Sequence, residues 1–214
     1  MTRSPGELRR VMPADRDAIE QIAHLHARFL FPGALAEMGE SFVADVAYRA
    51  LMEAGVLDVI ALWSGARIVG YVGFTGDTRS YQRTGFVRKP FIVIAAAIKA
   101  VIGHPRRMRA LLDLGRDAFG GDPPDDLEGT GEVVAIVVDN ELLDHAGRDL
   151  SPQPGQMLLD AAIEGLRAEG VRRVRARVNA DRRPALLLYA RRPGVSYRDY
   201  RRRNEPMVEI TLDI

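Results

Sequence analysis

The spacing of apolar residues changes period twice between residues 132 and 178. Residues 132–138 form an apolar run typical of a buried strand, and residues 171–178 alternate apolar and basic side chains with the period of two of a strand. Between these runs, apolar residues recur at helical spacing on one face, at Leu158, Leu159, Ala162, Ile163 and Leu166. The pattern therefore predicts a strand, a helix ending at Gly170 and a second strand, with amides at the helix start able to hold an anion.

Further strands and helices are predicted on both sides of this unit. Two strand-like runs flank a short turn at Gly65 and favour an antiparallel hairpin. Ser41 is a suitable N-cap for a helix that ends at Gly55. The predicted strands cover residues 8–11, 56–62, 67–74, 195–201 and 207–214, with a turn at residues 204–206 between the last two. Three helices are predicted: one that begins at residues 13–15, one over residues 41–54 and one over residues 184–192.

Residues 77–126 differ in character from the rest of the chain and are predicted to be a helical insertion in a single domain of residues 1–214. An apolar helix is expected over residues 91–102 and a second helix over residues 106–119, followed by a linker rich in glycine, proline and aspartate. The apolar run contains Lys99 and is much shorter than the roughly 20 residues that span a bilayer. The two helices are expected to pack on each other, with contact to an anionic membrane surface as the alternative.

Composition narrows the chemistry. The 214 residues are 47% apolar and 28% charged with a net charge of +1, which is typical of a globular domain with no overall field. There is no cysteine, so disulfides, thiolate catalysis and cysteine-ligated zinc are excluded, and four histidines offer little for a metal site. Because cysteine is absent and histidine is scarce, we expect no metal cofactor. Residues 1–10 contain no apolar signal segment, so we expect a cytoplasmic protein.

Positive charge is concentrated in the last third of the chain, which is rich in arginine. The alternation of Arg173, Arg175 and Arg177 places these three side chains on one face of a strand. We expect this face to be exposed to solvent. The alternative is that its arginines bind the phosphates of a nucleotide cofactor or an acidic acceptor. Nucleic-acid binding is not favoured, since Tyr197 and Tyr200 are the only aromatic platforms near this charge.

Three segments resemble motifs of the GNAT superfamily of acyl-CoA N-acyltransferases. Residues 132–140, EVVAIVVDN, resemble its fourth strand, and GQMLL at residues 155–159 resembles the end of its pyrophosphate loop. NADRRPALLLY at residues 179–189, with Gly194 beyond it, is similar to the family's Asn-x-x-Ala-x-x-Leu-Tyr segment. The resemblance covers nearly the whole chain except the insertion. It implies an α/β fold with a mixed, mostly antiparallel sheet, a central splayed pair of parallel strands, and flanking helices.

The resemblance also implies acetyl-CoA as the acyl donor. Its pantetheine arm would enter the gap between the splayed strands and pair with the backbone of Ile136, Val137 and Val138. Its pyrophosphate would lie on the helix start, and the cofactor-binding residues there would be Gln153, Gly155, Gln156, Met157 and Leu158, with Arg182 nearby. The chain departs from the family in this loop, where Pro152 and Pro154 lack amide hydrogens, and at Arg182, which stands in place of the usual asparagine.

Two residues are the catalytic candidates. By resemblance, Tyr189 would protonate the departing CoA thiolate, because a phenol is neutral at pH 7 and has comparable basicity. Glu132 would deprotonate the attacking ammonium, with its pKa raised by an apolar site. The alternatives are that Tyr189 is only a packed core side chain and that Glu132 is a solvated strand end. Other candidate bases are Asp77, Asp139 and His145.

The sequence therefore predicts an acyltransferase that moves an acetyl or other acyl group from CoA to a primary amine by direct attack on the thioester. The length of the insertion favours a small acceptor, such as an amino sugar or another metabolite, in a covered cleft. The alternatives are a non-catalytic binding module on the same scaffold and a peripheral protein that binds membranes or anionic ligands. A homodimer is compatible with the sequence.

Overall fold

The computed structural model describes residues 6–31, 33–78, 81, 97–98, 100–102, 104, 107–119, 129–142, 153–202 and 205–214. Most of the predicted insertion, including nearly all of the apolar helix expected at residues 91–102, lies outside these residues. The same is true of Pro152 and His145.

Seven strands and a set of helices alternate along the chain. The N-terminal half contains β1 (Glu7–Arg10), α1 (Arg16–Phe29), α2 (Ala34–Glu37), α3 (Glu40–Phe42), the π-helical segment π1 (Val43–Ala50), α4 (Leu51–Glu53), β2 (Asp58–Ser64) and β3 (Arg67–Thr75). The C-terminal half contains α5 (Arg107–Phe119), β4 (Thr130–Val138), α6 (Pro154–Ala168), β5 (Arg173–Asn179), α7 (Arg183–Ala190), β6 (Val195–Arg202) and β7 (Glu205–Asp213).

All seven strands form one sheet in the order β1-β2-β3-β4-β5-β7-β6. Every neighbouring pair is antiparallel except β4 and β5, which are parallel. Side chains on one face of β2, β3 and β4 pack against α1 and π1, and side chains on the other face pack against α6. The mixed α/β sheet with flanking helices that the sequence predicted is thereby confirmed.

The parallel pair is short. Its register runs from Thr130 opposite Arg173 to Val133 opposite Ala176, and no further pairing between β4 and β5 follows within the described strands. Both strands continue beyond this point, β4 to Val138 and β5 to Asn179. They therefore diverge toward their carboxyl ends and leave a wedge-shaped gap in the middle of the sheet, the splay that the family resemblance implied.

A β-bulge lies at the start of this gap. The register of β3 with β4 shifts between Gly73 and Phe74, which pair with Ala135 and Val133 and leave Val134 without a cross-strand partner. Val134 and Ala135 consequently both pack on the α1 side, whereas Val133 packs on the α6 side. Bulges of this kind bend a strand and strengthen its twist. This one helps to turn β4 away from β5.

Helix α6 packs closely on the sheet. All five residues of its predicted apolar face are buried, which agrees with the helical spacing in the sequence: Leu158, Leu159, Ala162, Ile163 and Leu166. At Gly165, an added Cβ would lie 2.8 Å from Cζ of Phe74 on β3. The absence of a side chain at that position therefore lets the helix approach the strand.

Two details of the predicted elements are wrong. Ser41 is not the N-cap, because α3 begins at Glu40 after Gly39, whose φ of 93° turns the chain there. Glu205 and Pro206, which were expected in a turn at residues 204–206, already pair with β6 at the start of β7. In the insertion, Ala97, Ala100 and Ala110 share a small core with Met38 and Phe42.

Across the described residues, no helix has the length and apolar character needed to cross a membrane.

Candidate active site

The gap between β4 and β5 exposes backbone groups of β4. On the β3 side, Ile136, Val137 and Val138 pair with Val72, Tyr71 and Gly70. On the β5 side the register has already ended at Val133. A strand alternates the direction of its backbone groups, so residues 134–138 can present amide and carbonyl groups to a ligand in the gap. The three residues that the sequence assigned to an amide-containing ligand lie on the part of β4 that borders the gap, and their contact with a ligand stays a prediction.

The start of α6 lies beside the end of α7. Gln153 is the N-cap residue and Pro154 is the first helical residue, where a missing N–H costs no helical hydrogen bond. The N–H groups of Gln156 and Met157 both donate to the carbonyl of Gln153, at 2.8 and 3.1 Å. For Met157 this is the regular bond to the residue four positions earlier, so its amide has a helical partner. The amide donors expected at the helix start are therefore fewer than the sequence suggested.

Side chains tie this helix start to α7. Gln156 donates from Nε2 to the carbonyl of Leu188 at 2.8 Å and accepts from Arg192 at 2.9 Å. Arg191 donates to Oε1 of Gln153 at 2.6 Å, and Arg192 also pairs with Asp160. Two guanidinium groups thus stand beside the helix N-terminus, where the helix dipole already favours an anion. In the sequence, Arg191 and Arg192 are distinguished only as part of the arginine-rich last third of the chain.

Tyr189 is buried on α7, with 3% of its surface exposed. It belongs to the cluster formed by α6 and the sheet. Burial raises the pKa of its phenol, and the nearby carboxylate of Glu132 raises that pKa further. The phenol is therefore neutral at physiological pH and can donate a proton or a hydrogen bond.

The expectation that an apolar site raises the pKa of Glu132 is wrong. Although burial alone would raise this pKa, the guanidinium groups of Arg177 and Arg175 lower it below the usual range of a glutamate. Arg175 donates to Oε2 at 2.8 Å, and Arg177 donates to Oε1 through Nε and Nη2 at 3.1 and 2.9 Å. The carboxylate is buried rather than solvated, with 4% of the residue exposed. Its role as a general base stays a prediction, one that these ion pairs do not favour.

Arg182 bridges the open end of the gap. Its guanidinium donates to the carbonyls of Phe29 and Phe31, at 3.0 and 3.1 Å, just beyond the end of α1. From the same region, Arg28 pairs with Asp139 at 2.9 Å, directly after β4. These contacts hold α1 against both strands of the splay. The cofactor contact predicted for Arg182 is untested, and its guanidinium already has two carbonyl partners.

A buried polar cluster that the sequence pattern did not indicate lies on the α1 side of β3. Nδ1 of His26 is 2.8 Å from the Tyr48 hydroxyl and 3.1 Å from the Tyr71 hydroxyl, and the two hydroxyls are 2.8 Å apart. Burial lowers the pKa of His26 to about 4, so the imidazole is neutral. The sequence pattern did not indicate this cluster because Tyr48 and Tyr71 occupy positions of the apolar pattern.

Among the described residues, no group of three or more potential ligands could hold a metal ion.

Comparisons with known proteins agree on the architecture. No protein-family model matches the chain, and no curated protein matches it. An N-acetyltransferase from Staphylococcus aureus Mu50 superposes with a TM-score of 0.56 at 12% identity, covering 98% of this chain and 99% of that one.

Two further solved structures have the same architecture as this chain. PaiA N-acetyltransferase from Thermoplasma acidophilum, in complex with coenzyme A, gives a TM-score of 0.53 at 10% identity over 99% and 100% of the two chains. A structure assigned to the GNAT family from Desulfovibrio desulfuricans gives 0.55 at 16% identity over 97% and 98%. At such low identity the likeness concerns architecture alone, and on that basis the chain has the fold of the GNAT acyl-CoA N-acyltransferases.

Proposed function

We propose that this protein transfers an acyl group, most simply acetyl, from CoA to a primary amine of a small acceptor. The observation that carries the proposal is the gap between β4 and β5. The start of α6 in turn contacts the carboxyl-terminal half of α7, the helix that carries Tyr189. An extended amide-containing arm can pair with residues 134–138 in this gap, and its anionic end can rest on the helix N-terminus. Solved structures with the same fold include complexes with coenzyme A.

Direct transfer needs no covalent enzyme intermediate. The amine nitrogen attacks the thioester carbonyl carbon, the carbon–sulfur bond breaks, and the thiolate takes the phenolic proton of Tyr189. The proton that the nitrogen loses as the amide forms restores the phenol through water. A neutral, buried phenol suits this role. The amine must first lose the proton of its ammonium form, and water in the gap is a better acceptor than a carboxylate held by two arginines. Glu132 enters the proposal as the group that holds Arg175 and Arg177 at the apex of the gap.

Calorimetric titration with acetyl-CoA and with free CoA tests the proposal. We expect saturable binding of both ligands, weakened when Arg191 and Arg192 are replaced by glutamine, because these side chains adjoin the helix N-terminus. Arg172→Gln, an exposed change before β5, is the matched control. Absence of heat and of any thermal shift would overturn the proposal. Binding without turnover of any amine would instead indicate a non-catalytic module on this scaffold.

Three finer points are also proposals. A small acceptor is preferred to a protein chain because the long insertion can cover a cleft, and a panel of amines and peptides would compare the two. A cytoplasmic location and a homodimer are carried forward from the sequence. Fractionation of the producing cells and sedimentation of the purified protein are the respective measurements.

A further inference from the structure

The side chain of Gln156 joins the start of α6 to the last turn of α7. Gln156 is the third residue of α6, which begins at Pro154. Its Nε2 donates to the carbonyl oxygen of Leu188 at 2.8 Å, and its Oε1 accepts from Arg192 at 2.9 Å. Both polar ends of the side chain are therefore engaged within the protein, which suits a link between two helices better than a ligand contact.

The carbonyl of Leu188 needs this donor because α7 ends there. In a continuing helix, the N–H of Arg192 would donate to this carbonyl, four positions earlier. The N–H of Arg192 donates instead to the carbonyl of Tyr189, at 2.9 Å. The carbonyls of a last helical turn require partners from outside the helix, and Gln156 supplies one of them.

The bonded carbonyl belongs to the peptide unit that carries Tyr189. A peptide unit is planar, so the carbonyl oxygen of Leu188 and the Cα of Tyr189 lie in one rigid plane. A hydrogen bond to that oxygen therefore fixes the point from which the tyrosine side chain extends. The two helices also approach closely here, since a Cβ added at Gly155 would lie 3.3 Å from Cδ1 of Leu188. A shift of the α6 start is consequently transmitted to the backbone at Tyr189.

We propose that Gln156 is a positioning residue, which aligns Tyr189 and links it to the donor-binding start of α6. The role rests on the proposed acyl transfer, in which the thiolate takes the phenolic proton of Tyr189. Proton transfer requires a well-aligned donor, so a loss of alignment lowers the rate. An anion on the α6 start would hold the same turn that carries Gln156, so binding of the acyl donor and alignment of the acid would be coupled.

Fluorine NMR of protein labelled with 3-fluorotyrosine tests the link without turnover. The Tyr189 signal is assigned by its loss in Tyr189→Phe. Gln156→Met keeps the length of the side chain and removes both polar atoms, so it should shift or broaden this signal. Gln156→Glu keeps an acceptor for Arg192 but no donor for Leu188, so it should do the same. Glu164→Gln, an exposed change further along α6, should leave the signal as in the parent.

Turnover separates alignment of the acid from binding of the donor. CoA release is measured with a thiol reagent, to which the cysteine-free chain adds no background. With acetyl-CoA and the best amine of the panel, Gln156→Met should lower kcat about tenfold, as for one lost hydrogen bond, and change acetyl-CoA affinity less than about threefold. In the Tyr189→Phe background it should have no further effect on kcat, because both changes remove the same contribution.

Three outcomes would overturn the inference. They are an unchanged Tyr189 signal in Gln156→Met, a loss of kcat that persists undiminished in the Tyr189→Phe background, and an effect confined to acetyl-CoA affinity. Failure of the proposed function is separately visible as absence of acetyl-CoA binding by the parent protein in the calorimeter. The fluorine signal still decides in that case whether Gln156 holds Tyr189 in place.

Discussion

Single side chains carry the proposed chemistry, and Tyr189 is the most direct to test. Tyr189→Phe should lower kcat by about 100-fold, the lower end of what a general acid contributes. Acetyl-CoA affinity should stay nearly unchanged, because the ring remains in its buried position. Steady-state kinetics and calorimetry measure the two quantities. Tyr197→Phe, with 49% of Tyr197 exposed, is the control, and an unaltered kcat in Tyr189→Phe would remove the phenol from the mechanism.

His26 should make stability depend on pH. Its pKa is about 4 in the folded protein and 6.5 in the reference state, so the unfolded chain gains a proton first as pH falls. The folded state is therefore fully favoured by this group above pH 6.5 and loses up to about 3 kcal/mol as pH falls toward 4. Denaturant titrations at several pH values measure the loss.

The matched comparison uses the neighbouring histidine on α1. His26→Phe should flatten this part of the pH profile, whereas His24→Gln, at a 60% exposed side chain, should retain it. If the parent protein and His26→Phe show the same pH dependence between 6.5 and 4, His26 is not buried in its neutral form.

The sequence predicted some of the functional side chains but not their surroundings in the fold. Tyr189 was assigned through the resemblance of Leu188 and Tyr189 to the family's Leu-Tyr motif, and its catalytic role stays a prediction. The environment of Glu132 could not, because its partners Arg175 and Arg177 are some 43 and 45 positions away in the chain. A pKa depends on such neighbours, and a linear pattern does not contain them. The same limit concealed the contact of His26 with Tyr48 and Tyr71.

The packing of α6 against the sheet can be tested at Gly165, with Gly115 on α5 as the comparison. Gly165→Ala would place a methyl group 2.8 Å from the ring of Phe74, so the free energy of unfolding should fall by about 1–3 kcal/mol. Gly115→Ala on α5 meets no atom within 4 Å and should instead increase helix stability by up to about 1 kcal/mol. Chemical denaturation measures both, and stabilisation by Gly165→Ala would contradict the close packing of α6 on β3.

Whole elements were predicted better than their ends. The apolar face of α6 and the alternation along β5 followed from side-chain period alone, since each element buries one side. Helix starts were less predictable. Ser41 had suitable cap chemistry, but Gly39 supplies the turn, and a positive φ is not encoded by the capping pattern. The bulge at Val134 was likewise invisible, because an apolar run reads the same with or without one extra residue.

At the scale of the molecule, Glu132 links the two parts of the sheet. Glu132→Gln should lower the free energy of unfolding by about 3 kcal/mol, because it leaves Arg175 and Arg177 buried without their carboxylate. The folded pKa of Glu132 is below its reference value of 4.5, so its contribution is present above that pH and is lost as pH falls through the folded pKa. Denaturation at neutral and acidic pH should therefore show a difference between variant and parent that shrinks in acid.

The control for this change is Glu141→Gln, at a 78% exposed side chain that pairs with Arg28. Exposed ion pairs contribute little, so this variant should be close to the parent at every pH. An effect of Glu132→Gln no larger than that of Glu141→Gln would show that the network on β4 and β5 is not tightly coupled.

The short pairing of β4 with β5 also gives this sheet two internal edges in addition to the outer ones at β1 and β6. Unpaired strand edges are templates for other extended chains, and they promote aggregation unless something covers them. A pantetheine arm in the gap would occupy the same backbone groups and act as a substitute strand. Refolding in the presence of CoA should therefore yield more monodisperse protein than refolding without it if CoA binds in the gap as proposed, because the bound arm would shield both internal edges.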